Sequence, residues 1–139
     1  MKLLTKDQIQ ACINLRSEVV FVPEWGGDVM VRELTGEERD SYEQSIFEAR
    51  RVGNKTEITP NLRNVKARMV VRCVINEDGT RLFGDADVEW VGKKSASALN
   101  RIVDVAERLS GLTKKDVAEL EKNSATGQPE GSSSGSPGI

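Results

Sequence analysis

The sequence contains no histidine, only two cysteines and few aromatic residues, which make up 4% of its 139 positions. Without histidine the chain lacks the usual general base at neutral pH, the Ser/His/Asp and Cys/His arrangements, and the commonest metal ligand. Cys12 and Cys73 are far apart in sequence and lack the Cys-x-x-Cys spacing of a zinc or redox site. These absences exclude most enzymes. We expect no catalytic residue, no cofactor and no metal, and we interpret both cysteines as buried free thiols.

An excess of positive charge and a long apolar run are also missing. The formal net charge is -2, so no overall positive field would attract a nucleic acid. The opening stretch MKLLTKDQIQ has only Leu3 and Leu4 before polar residues follow, which does not make a signal peptide, and no run reaches membrane-spanning length. We therefore expect a soluble protein with no nucleic-acid partner and no membrane association, in the compartment where it is made.

Three threonines precede Gln, Glu or Asp by three positions, which is the spacing of a helix-capping box. They are Thr5, Thr35 and Thr113. We predict that a helix starts at each of them. The second of these helices is predicted to run to about Val52, and the third to about Lys122.

Between the first two helices, residues 19–22 and 29–31 are β-branched runs joined by a loop, which predicts a hairpin at about residues 18–34. An isolated hairpin is marginally stable in water. One face must therefore pack on helices, and the other is free for a neighbour or a partner. Trp25 in the loop has two open interpretations: it covers the hairpin, or it is an exposed interface anchor.

A further helix is predicted from Thr59 and Pro60 to about Ile75, because threonine followed by proline is typical of a helix start. Its basic residues are Arg63, Lys66, Arg68 and Arg72. They could contact phosphate or an acidic partner. A solvated face is the favoured interpretation, because no aromatic residue is interleaved to stack on bases.

The clearest amphipathic helix comes near the end of the predicted domain. Its apolar stripe consists of Ala96, Leu99, Ile102, Val103, Ala106 and Leu109, and Gly111 ends it. We interpret the stripe as core, with a partner groove as the alternative. A short helix before it is predicted to be capped by Asp85 and to end near Gly92, with Trp90 in the core.

The predicted fold is mainly α-helical (α+β): one domain over residues 1–122 with a small N-terminal hairpin. Residues 123–139, NSATGQPEGSSSGSPGI, lack an apolar cluster that could offset the entropy cost of ordering, and we predict a flexible tail. The candidate partner-binding residues are Phe21, Trp25, Met30, Phe47, Leu99, Ile102 and Val103.

Three stretches resemble a known family: MKLLTKDQI, then VPEWGGDVMVRELTGEERD, then VINEDGTRLFGDADVEWVGKKSASALNRIVDVAERLSGL. In this order, and with the Gly/Ser-rich end, they resemble the tail assembly chaperones of long-tailed bacteriophages and prophages. The resemblance implies a non-catalytic protein of the bacterial host cytoplasm. It would keep the tape-measure protein soluble while tail-tube subunits polymerise around it, and would be absent from the finished virion.

The resemblance also implies the major tail-tube protein as a partner, and it leaves open self-association and a longer form made by ribosomal frameshifting. Two other functions stay open from the sequence. A structural component, such as a tail terminator or head-tail connector, would persist in the virion. A small DNA-binding regulator would use the helix that contains Arg63 and Arg72, and its DNA binding would depend on salt.

Overall fold

The computed structural model describes residues 1–112 of the chain. The helix predicted to start at Thr113 and the tail predicted for residues 123–139 lie outside the described residues. The described elements are α1 (Lys6–Ala11), β1 (Ser17–Val22), β2 (Gly27–Arg32), α2 (Gly36–Ser45), β3 (Phe47–Val52), β4 (Lys55–Pro60), α3 (Val65–Cys73), β5 (Val74–Ile75), α4 (Val88–Val91) and α5 (Ala96–Leu109). Short 3-10 turns at Pro23–Trp25 and Asp85–Asp87 precede β2 and α4.

The larger sheet is antiparallel and has the strand order β1-β2-β5. Helix α5 packs against β1 and β2, so one face of this sheet is covered. Because side chains alternate between the two faces of a strand, Val22 and Val31 are fully buried whereas Val19 and Phe21 are exposed. The predicted hairpin is therefore present, with a 3-10 turn in its loop, but it belongs to a three-stranded sheet.

Helix α5 carries the predicted apolar stripe into the core except for Ala96, which is exposed in its first turn. Its buried residues are Ala98, Leu99, Ile102, Val103, Ala106 and Leu109. Ser95 caps the helix start, because its hydroxyl accepts a hydrogen bond from the amide of Ala98. Two ion pairs join the exposed side of α5 to the hairpin: Arg101 with Glu24 at 3.0 Å and Arg108 with Glu18 at 2.9 Å.

Helix α3 is almost entirely buried. All its residues from Ala67 to Cys73 are buried, and it packs against α2, α4 and α5. It begins after Asn64, whose φ of +55° is a left-handed conformation that asparagine tolerates better than most residues. The core therefore lies between the covered face of the larger sheet and the helices α3 and α5.

The helix predicted from Thr35 to about Val52 ends earlier, because α2 stops at Ser45. The next residues form β3, which pairs with β4 in an exposed two-stranded ribbon. Its turn begins at Gly53, whose φ of +63° glycine adopts without strain. The prediction was wrong because Gly53 followed by Asn54 is typical of a hairpin turn as well as of a helix end. A short charged segment also has too few apolar residues for their period to distinguish a helix from a strand.

The next predicted helix also has different limits. Pro60 ends β4 instead of opening a helix, α3 starts at Val65, and Val74–Ile75 leave the helix as strand β5. Asp85 does not cap the short helix, because its carboxylate binds Arg81 at 2.9 Å. The described domain is therefore mixed α+β with two small sheets, instead of mainly α-helical with a single hairpin.

Candidate interaction surfaces

Residues 1–112 contain two free cysteines and no candidate metal site. No group of three or more Cys, Asp or Glu side chains is placed to hold a metal ion there. Cys73 is buried, and burial raises the pKa of its thiol to about 12, which makes it unreactive. Cys12 is exposed, so the prediction of burial was wrong for this residue, which follows the unpacked helix α1. No helix in the described part is both long and apolar enough to cross a membrane.

The basic residues of α3 do not all form the solvated face that the sequence predicted. Arg68 and Arg72 are only 8% and 9% exposed. Arg68 donates to the Ser45 carbonyl at 2.8 Å and also to the Arg63 carbonyl, while Arg72 donates to the Ser41 hydroxyl at 3.0 Å. Burial lowers the pKa of both guanidinium groups. These two cations join α3 to α2, so they are not available to a phosphate backbone.

Within residues 1–112, the face of the larger sheet opposite α5 has exposed apolar side chains on β1. Val19 and Phe21 of β1 are 57% and 61% exposed. In the register of the sheet Val19 lies opposite Met30, and Phe21 lies opposite the charged Asp28. Strand β1 is also at an edge of this sheet. We call Val19, Phe21 and Met30 the outer-face patch.

A second surface feature is a groove with a volume of about 280 Å³. It is lined by Trp25, Phe83, Trp90, Val91 and Lys94. These residues come from the hairpin loop, the segment before the second 3-10 turn, helix α4 and the residues after α4. Both tryptophans of the sequence are among them, and we call this feature the tryptophan groove.

Local contacts hold Trp90 in a fixed orientation although it is 47% exposed. Its ring meets Phe83 edge to face, with 5.7 Å between the ring centroids and 71° between the planes. Its indole Nε1 donates to the Asp87 carboxylate at 2.8 Å. That bond, with one from the backbone amide of Gly84, lowers the pKa of Asp87. Lys94 Nζ lies 5.8 Å from the centroid of the Trp90 ring, a cation–π distance.

Comparison with known proteins identifies the family. A family model described as phage tail assembly chaperone matches residues 6–123. The chain belongs to this family. Its structure is similar to that of the tail assembly chaperone of bacteriophage HK97, with a TM-score of 0.53 and 19% sequence identity over 74% of this chain and 94% of that chain. At this identity the likeness shows a shared fold. No curated protein matches the sequence.

In this tail assembly chaperone, three of the predicted partner-binding residues lie in the core. Leu99, Ile102 and Val103 are buried, because the stripe of α5 faces the sheet and α3. The favoured interpretation of the stripe as core is the one that the burial supports. A partner could reach these residues only if α5 left the sheet, so we omit them from the proposed surfaces.

The other predicted residues lie at the surface of the chaperone, in three places. Phe21 and Met30 belong to the outer-face patch. Trp25 is half-buried, packs against the core and lines the tryptophan groove, so both interpretations that the sequence gave for it stay open. Phe47 is 40% exposed at the start of the ribbon. Their role in binding a partner stays a prediction.

The prediction did not include Phe83, Lys94 or Trp90 as interaction residues, and it placed Trp90 in the core. Trp90 is near Val88 and Val91 in sequence, which suggested a buried helix face. The spacing of charged residues around Trp90 indicated an exposed side chain instead. Asp87 precedes Trp90 by three positions and Lys94 follows it by four, which puts both charges beside the ring at a helix surface.

Proposed function

We propose that this chain is a non-catalytic chaperone that binds the tape-measure protein in the cytoplasm of the bacterial host. It keeps that client soluble while tail-tube subunits assemble around it, and it leaves before the virion is complete. Family membership supports the chaperone role. The single observation that supports client binding is the exposed outer-face patch on an edge strand.

The outer-face patch has the physical properties that an aggregation-prone client requires. A contiguous exposed apolar patch on a folded domain is typical of a surface that binds a protein partner. Asp28 beside Phe21, and Arg32 beside Ser17, place charges within the same face of the sheet. These charges would keep the chaperone itself in solution while the apolar side chains contact the client.

The experiment is co-expression with the tape-measure protein of the same phage or prophage, followed by pull-down and measurement of the soluble client. We expect the unaltered chain to increase soluble client and to co-purify with it. Phe21→Ser should reduce both effects. Because Phe21 is largely exposed, we expect its replacement to change the free energy of unfolding by no more than about 0.5 kcal/mol.

Ile58→Ser is the matched control, because Ile58 is 62% exposed but lies on the β3–β4 ribbon. It should leave client solubility unchanged. If the unaltered chain neither dissolves nor retains the client, the proposed function is wrong. Finding the chain as a stoichiometric component of purified virions would also contradict it, and would favour a structural subunit.

A further inference from the structure

The tryptophan groove is distinct from the outer-face patch and has the size of a side-chain pocket. Small-molecule sites have volumes of about 300–1,000 Å³, so a volume of about 280 Å³ is just below that range and suits one large side chain. Trp25, Phe83, Trp90 and Val91 supply apolar walls. Tryptophans around a pocket are typical of residues that dominate binding between proteins.

Four carboxylates that are close in sequence to the groove residues have partners within the described chain. Asp87 accepts from Trp90, Asp85 pairs with Arg81, Glu89 with Arg63, and Glu24 with Arg101. Lys94, in contrast, lines the groove and forms no ion pair with any carboxylate within residues 1–112, and the same holds for Lys93. The indole of Trp90 is neutral, so Asp87 keeps its negative charge. Lys93 and Lys94 outnumber it among the charged residues near the groove that form no ion pair in the described chain. The excess charge there is therefore positive.

We propose that the tryptophan groove holds one large apolar side chain of the client, with a carboxylate of the same client segment at Lys94. The proposal rests on the proposed function for the existence of the client, and it adds the chemistry that selects the segment. Apolar walls favour a leucine or phenylalanine side chain. The unneutralised charge at the rim favours a neighbouring Asp or Glu over Lys or Arg.

The sequence offers a direct optical test, because its only two tryptophans both line the groove. The probes are alanine-rich helical peptides of about 20 residues, a length at which such helices form in water. One peptide carries leucine and glutamate on neighbouring turns. Its two matched peptides replace the leucine with alanine or the glutamate with lysine.

We expect the leucine and glutamate peptide to shift the tryptophan emission of the full chain to shorter wavelength and to protect it from acrylamide quenching. Either replacement should weaken its binding by about tenfold, which corresponds to about 1.4 kcal/mol. Lys94→Glu should reverse the charge preference, so that this variant binds the lysine peptide better than the glutamate peptide. Such a reversal would not result from misfolding. Lys55→Glu, on the exposed ribbon, is the matched charge control and should bind like the unaltered chain.

Two results would overturn the inference. One is an emission spectrum that does not respond to the peptides, or responds equally to all three. The other is a shift that depends on the concentration of the chain alone, which would assign the groove to a second copy. If the client stays soluble in the co-expression assay with the Lys94→Glu and Trp90→Ala variants, the proposed role of the groove is wrong. The proposed chaperone function is then unaffected. Failure of the unaltered chain would refute the function itself.

Discussion

At the scale of single residues, Arg68 and Arg72 show how burial changes the role of a charged side chain. Each guanidinium has several donors in a fixed plane, and here they bind carbonyl and hydroxyl oxygens of α2 and of the segment before α3. Burial lowers the pKa of both groups, because a charge is less stable away from water. These residues therefore hold helices together.

Arg68→Met should test this structural role. The change leaves the Ser45 and Arg63 carbonyls without a donor that they have in the native fold. We expect the free energy of unfolding, measured with urea, to fall by about 1–3 kcal/mol. Arg63→Met is the control, because the Arg63–Glu89 pair is mostly exposed and such a pair contributes about 0–1 kcal/mol. Equal losses in the two variants would contradict the assignment of Arg68.

At the scale of secondary-structure elements, two helices begin with the same capping box. In α1 the Thr5 hydroxyl accepts from the amide of Gln8 at 3.2 Å, and in α2 the Thr35 hydroxyl accepts from the amide of Glu38 at 3.0 Å. Their surroundings differ. Helix α1 has no buried residue, whereas α2 buries Tyr42. The same capping box thus begins a helix with a buried residue in α2 and a helix without one in α1.

The two caps should therefore differ in their effect on stability. We expect Thr35→Ala to lower the free energy of unfolding by about 1 kcal/mol, the usual loss for an N-cap. Thr5→Ala should change it by less than the error of a urea titration, because α1 can unfold without exposing any buried surface. A loss for Thr5→Ala as large as that for Thr35→Ala would show that α1 packs against the domain in solution.

At the scale of the whole molecule, we expect the free energy of unfolding to change with pH, below neutral pH, only through the carboxyl groups. Hydrogen bonds hold the pKa of four surface carboxylates below its ordinary value: Glu24 with Arg101, Asp78 with Thr80, Asp85 with Arg81, and Asp87 with Trp90. In the unfolded chain such carboxyls titrate at about pH 4. The native state therefore binds fewer protons than the unfolded state in this region, and acid favours unfolding.

We expect the melting temperature to be nearly constant from about pH 5 to pH 8, since the chain has no histidine to titrate there. It should then decrease as the pH falls below about 4 and these carboxylates become protonated. Added salt should reduce the part of the decrease that comes from the surface ion pairs of Glu24 with Arg101 and Asp85 with Arg81. A thermal melting series over this range is the measurement. A steep change near pH 6 or 7 would contradict the expectation.

Features that depend on residues a few positions apart were predictable from the amino-acid sequence. The capping boxes at Thr5 and Thr35, the stripe of α5 and the N-terminal hairpin all follow from local hydrogen bonds or from the period of apolar residues. Such signals are complete within one segment. They also account for the resemblance to tail assembly chaperones, because the resembling stretches contain these elements in order.

Packing between distant segments sets which faces are covered and whether an ambiguous segment becomes a helix or a strand. Val74–Ile75 form a strand because β2 is beside them, and Arg68 is buried because α2 supplies acceptors for it. Trp90 is exposed, and it lines the same groove as Trp25, which is far away in sequence. Burial at these positions depends on partners that are far away in sequence, so the local pattern that predicted the stripe of α5 was not enough to assign them.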